Sequence, residues 1–142
     1  MPAKYILTFC VLCGSMFPAL ALPWSGTDVS GLWTSVYDFD VVVETMTANI
    51  QQVDEETIVG SFSVAVEPTG DEYSGIIFGS INGNEVKAYY LGFRDNGAGD
   101  SVIAISYTDG TLTDKDTIEG TFYYQDANSL EGISGPYEAT RI

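Results

Sequence analysis

The chain has 142 residues, with 20 Asp and Glu against 5 Lys and Arg, no His, and a formal net charge of −15. That length sets one domain as the expectation. The lack of His removes the commonest general base and metal ligand. The acid excess argues against nucleic acid and against an anionic membrane surface, both of which are gripped through Lys and Arg.

Residues 1–21 read as a signal peptide. Lys4 precedes an apolar run from Tyr5 to Cys13, and Ala19-Leu20-Ala21 is a small-residue cleavage site. Gly14, Ser15 and Pro18 interrupt the run, which is shorter than the ~20 apolar residues that a spanning helix needs. The expectation is a secreted or extracytoplasmic protein with no stable membrane insertion after cleavage. The remaining 22–142 forms a single domain. It keeps every acid and neither cysteine, since Cys10 and Cys13 leave with the leader. A disulfide, a thiol nucleophile and Cys or His metal ligation are therefore excluded. No cofactor and no metal site are expected.

Strand signals fill the rest, and no stretch carries apolar residues at helical spacing. Eight strands are predicted: Gly31 to Tyr37, Val41 to Gln52, Thr57 to Glu67, Glu72 to Ile81, Glu85 to Arg94, Ser101 to Thr108, Asp116 to Gln125 and Gly132 to Arg141. Asn82-Gly83-Asn84 is a tight hairpin, because Asn and Gly accept the positive φ of primed turns. Pro68-Thr69-Gly70-Asp71, the segment from Asp95 to Asp100, and Asp109-Gly110 are read as further turns. Connections this short make consecutive strands antiparallel neighbours. An all-β, eight-stranded antiparallel up-and-down β-barrel follows, since closure removes both edges. A β-sandwich is the alternative. Thr57-Ile58-Val59-Gly60-Ser61-Phe62 echoes Thr117-Ile118-Glu119-Gly120-Thr121-Phe122, and two strands solving one packing problem explain the echo better than a duplication, because the flanks do not match.

Asp28-Val29-Ser30-Gly31-Leu32-Trp33 places a Gly-x-Trp at the start of the first strand, and Arg141 sits late in the last. In this the chain resembles the calycins, the lipocalins, fatty-acid-binding proteins and avidins. The resemblance implies a barrel-closure pair, with Trp33 packed across the closed end against Arg141. It covers the architecture and these positions. The lipocalin cysteines are missing, and the biotin contacts of avidins find no matching set here.

Alternation places Glu44 on the apolar face of the second strand with Val42, Met46, Ala48 and Ile50. An inward carboxylate is desolvated and suited to acid, base or ligand-contact work. A bulge near Val41 would instead turn it to water, and pairing with Arg94 or Lys87 would make it structural. The pairs Tyr89-Tyr90 and Tyr123-Tyr124 must each split between the two faces. The expected ligand-binding set is Glu44, Tyr89, Tyr90, Arg94, Tyr107 and Tyr124, the tyrosines giving an apolar wall with polar tips. Acidic turns around Asp95 and Asp109 offer oxygen ligands for Ca²⁺ but match no Ca²⁺ loop, and hairpin chemistry accounts for them. The scattered acids read as a solvated coat that keeps the barrel soluble and monomeric and suits a salty medium, with a cationic partner as the alternative.

These residues point to a non-enzymatic barrel holding a small apolar or amphipathic ligand in its lumen. The alternatives are a structural or surface-interaction domain with a filled barrel, favoured if Phe62, Val64, Ile77 and Phe122 occupy the interior, and a small carboxylate-dependent hydrolase, favoured by two facing acids in an open cleft. Nothing in the sequence fixes an oligomeric state.

Overall fold

The structure, a computed structural model, describes residues 27–95, 98–126 and 132–142. The expected signal segment, with Cys10 and Cys13, lies outside the described residues. The eight strands are β1 Gly31–Asp38, β2 Val43–Gln52, β3 Thr57–Glu67, β4 Asp71–Asn82, β5 Glu85–Asp95, β6 Ser101–Asp114, β7 Thr117–Asp126 and β8 Ile133–Arg141. Each pairs antiparallel with the next, and β8 returns to β1, so the sheet is a closed up-and-down barrel. Closure hides the backbone edges that an eight-stranded meander would leave bare.

Boundaries follow the expected turns with one correction. Asp109-Gly110 is not a turn: β6 runs through it to Asp114, with Asp109 opposite Lys87 and Gly110 opposite Val86. The reversal comes instead at Lys115-Asp116. Gly110 is there for space, since a Cβ on it would stand 2.5 Å from the Tyr137 hydroxyl oxygen. The echoed segments take equivalent places in β3 and β7. Ile58 and Phe62 on one, and Ile118 and Phe122 on the other, are buried with a glycine between them.

Inward side chains alternate along every strand and fill the barrel. Trp33, Ile58, Val64 and Val66 are almost wholly enclosed, and Phe62, Ile77, Tyr90 and Phe122 join the same cluster. The end carrying the β2–β3, β4–β5 and β6–β7 turns is closed by the segment before β1: Val29 is fully buried, and Trp33 Nε1 donates to its carbonyl oxygen at 2.9 Å. The seam between β1 and β8 is short. Pairing runs only over Trp33↔Arg141, Thr34↔Thr140 and Ser35↔Ala139. Pro136 sits in the stretch of β8 beyond that register, where its missing N–H removes no bond of the seam.

Candidate functional site

Glu44 points inward, as the alternation predicts, and is 8% exposed. β2 begins after Val42, so no slip of register turns it out. Its carboxylate accepts from the Tyr73 hydroxyl at 2.9 Å and faces Arg94 Nη1 at 3.6 Å. The Arg94 guanidinium stands 5.5 Å over the Tyr73 ring, and the Tyr124 hydroxyl also helps hold its charge. Burial, then the neighbouring Glu44 charge, pushes the Tyr73 phenol above its usual range, so it stays a donor. Burial likewise raises Tyr37 and Tyr137. Of the sequence-predicted set, Glu44, Arg94 and Tyr124 therefore meet at the end of the barrel opposite Trp33, while Tyr90 stands deeper in the interior and lines both the void beside Glu44 and the one beside Trp33. Tyr73 completes them. Its inward place was readable from the spacing Tyr73, Gly75, Ile77, Gly79, Ile81, one face of β4.

Tyr89 and Tyr107 do not belong to this group. They are paired to each other across β5 and β6 on the outside of the barrel, because Tyr90 takes the inward position next door. They cannot line a lumen.

The lumen itself has little room. One void, walled by Glu44, Tyr73, Tyr90, Thr108, Phe122 and Tyr124 among others, measures ≈ 20 Å³. A second, near Trp33, Met46 and Tyr137, also measures ≈ 20 Å³. Each suits about one water molecule, against roughly 300–1,000 Å³ for pockets that take organic ligands. Thr108 is fully enclosed. Among the described residues its hydroxyl makes no hydrogen bond of good geometry, although the Tyr90 and Tyr137 hydroxyls are its neighbours.

At the closed end the predicted pair is present. The Arg141 guanidinium lies 4.5 Å from the Trp33 ring centre. Nη2 donates to the Asp28 carbonyl oxygen at 2.9 Å, Nη1 to that of Ser30, and Nε to that of Lys115 at 3.1 Å. Gly31 admits this packing. Its φ of 140° disfavours a side chain, and a Cβ would meet Arg141 Nη1 at 3.0 Å.

The outer surface is unevenly divided. β1–β3 present mostly threonine, serine, asparagine and glutamine outward, including Thr34, Thr45, Thr47, Asn49 and Ser61, with Leu32, Val36 and Val59 as exposed apolar exceptions. β4–β7 present three apolar rows. Phe78, Tyr89, Tyr107 and Tyr123 form one, with ring centres 5.4, 4.8 and 5.7 Å apart in succession. Ile76, Leu91 and Ile105 form the second, and Phe93 with Ile103 begins the third. Phe93 is 60% exposed, and Ile76, Phe78, Tyr89, Ile103, Ile105 and Tyr123 are each close to half exposed. No charged residue occurs in these rows; Lys87 and Asp109, 3.9 Å apart, mark their border. A groove of ≈ 290 Å³ between β6, β7 and β8 opens beside Tyr107 and Tyr123.

A larger concavity of ≈ 950 Å³ lies outside the barrel where β1 and β8 part, lined by Thr34, Thr111, Thr113 and Thr140 with Glu119 and Glu138. The two acids are directly opposite across β7 and β8, and both are exposed. Compared with known protein families, curated proteins and solved structures, the chain matches none.

Proposed function

We propose that the protein is a secreted, non-enzymatic barrel of calycin-like architecture that acts through its outer β4–β7 face rather than its lumen. The observation that carries this reading is the continuous, uncharged apolar face on a molecule that is otherwise strongly acidic. Stability does not call for it. Cross-strand ring contacts of about 0.5–1.5 kcal/mol account for the aromatic row, but Phe93, Ile103 and Ile105 gain little while standing in water. Apolar fields of this extent on a soluble protein mark contact surfaces. The filled interior supports the same choice, because Phe62, Val64, Ile77 and Phe122 occupy the space a ligand would need.

A second reading keeps a ligand at the mouth, and one observation favours it. The Glu44 carboxylate and the Tyr73 ring at the mouth already hold one cation, the Arg94 guanidinium, and a small organic cation could bind there by displacing it.

Nile red fluorescence on dilute protein separates the two. The Phe93→Asp/Ile105→Asp variant should lose at least about fivefold of the wild-type signal at unchanged fold, as expected when charge enters an apolar patch. Equal signals from both proteins would overturn the surface reading, and saturable 1:1 binding of tetramethylammonium, abolished by Glu44→Gln, would establish the mouth.

A further inference from the structure

We infer that the β4–β7 face docks on the same face of a second copy of this chain, giving a closed dimer that tightens as salt rises. The inference rests on the surface reading above and adds the partner.

The strands themselves indicate a covered face. β5 carries Ala88, Tyr90 and Gly92 inward and Tyr89, Leu91 and Phe93 outward, and β6 is similar from Ile103 to Tyr107. A strand apolar on both sides is the pattern of a sheet packed on both sides. Here the core covers only one.

The extent of the face matches what a dimer needs. A half-exposed ring or branched chain leaves on the order of 100 Å² in water. The three rows together then offer about 800 Å², the share of one partner in a standard stable interface. Composition agrees, since interface centres are depleted of charge and enriched in Tyr and Phe.

A second copy fits better than another macromolecule. A cationic partner would be drawn to the acidic remainder of the surface, whereas these rows have no charge to meet it. The partner must bring an apolar, uncharged face of its own, and the identical face supplies one through a two-fold axis. The contiguous apolar rows lie on β4–β7 and reach Val59 of β3, whereas Leu32 and Val36 on β1 stand beside the polar Asn49 and Thr45, and the ladder has no open strand edge there. Docking is thereby limited to a pair rather than a fibre.

Charge sets the condition. Each copy carries −15, so the pair repels itself at low salt. The screening length falls from about 30 Å at 0.01 M to about 3 Å at 1 M ionic strength, which removes the repulsion and leaves the apolar contact. Association must therefore strengthen with salt, the reverse of a complex held by ion pairs.

Sedimentation equilibrium of the purified protein across a NaCl series tests this. The expected result is a monomer–dimer equilibrium whose dissociation constant falls at least about tenfold from low to molar salt. Phe93→Glu/Ile105→Glu should stay monomeric throughout, and Thr45→Glu/Thr47→Glu, which adds the same charge to the opposite side, should still dimerise. A monomer at every salt concentration overturns the inference, as does a dimer that the first variant leaves intact or one that dissociates on adding salt. Monomeric protein that retains face-dependent Nile red binding would sink the dimer alone and leave the surface reading standing.

Discussion

At the closed end, single residues explain how the ring is fastened. Asp28 sits beside Arg141 and Ser30, its carboxylate accepting from the Ser30 backbone N–H at 2.8 Å while its carbonyl oxygen receives Arg141. The Ser30 contacts first, and the Arg141 charge to a smaller degree, hold the Asp28 carboxyl below its ordinary value of 3.8. A lowered folded value gives stability that is fully present above the ordinary carboxyl value and is lost as pH falls from there through the lowered folded value. Replacing Asp28 by Asn should thus cost some stability at neutral pH, no more than about 1 kcal/mol because the group is well solvated. As pH falls from ~3.8 through the lowered folded value, the wild type and variant should converge. Urea unfolding at a series of pH values checks this, and a gap that widens in acid would contradict it. Trp33 and Arg141 were legible in the sequence through the resemblance they carry. Tyr73, the hydroxyl donor to Glu44, has no motif to mark it, although the alternation of β4 places it inside with Ile77.

At the scale of the strand, alternation and turn chemistry specify most of the ladder. The strand from Thr57 to Glu67 appears as predicted, since β-branched and aromatic residues alternate there between clear turn signals. The misreading of Asp109-Gly110 has a physical cause. The dipeptide is a good turn former, but pairing of β6 with both β5 and β7 holds it extended, and the glycine makes room for Tyr137. Register across strands was not legible, and so neither was the lateral joining of outward residues into rows. A related constraint lies in β4. Gly75 lies so close to β5 that a Cβ would stand 2.0 Å from the Leu91 carbonyl oxygen. Gly75→Ala should therefore destabilise the fold by about 2 kcal/mol or more, as overpacking against rigid backbone does. Ser74→Ala next door, facing outward, should change it by less than about 0.5 kcal/mol. Equal effects in thermal unfolding would mean that β4 and β5 approach less closely.

For the molecule as a whole, the barrel is a packed core with a contiguous apolar field on its outer β4–β7 side. The expectation of a roomy lumen came from architecture alone, where eight strands leave an interior that side chains can either fill or spare. The volumes of Phe62, Phe122, Tyr37 and Tyr90 decide the matter, and these residues meet edge to face across the interior at ring-centre distances of 5.0 Å for Tyr37–Phe122 and 5.6 Å for Phe62–Tyr90. The acids lie outside the β4–β7 rows and leave them uncharged, which under the proposed function marks the contact surface. Chemical-shift mapping during titration with the neutral amphiphile octyl glucoside, below its micelle concentration and at low salt, reads both faces of the sheet in one experiment. The account predicts perturbations gathered on Ile76, Phe93, Ile105 and their outward neighbours, with Tyr90, Thr108 and Phe122 unmoved. Perturbations gathered on the interior residues, with the outer rows silent, would contradict it.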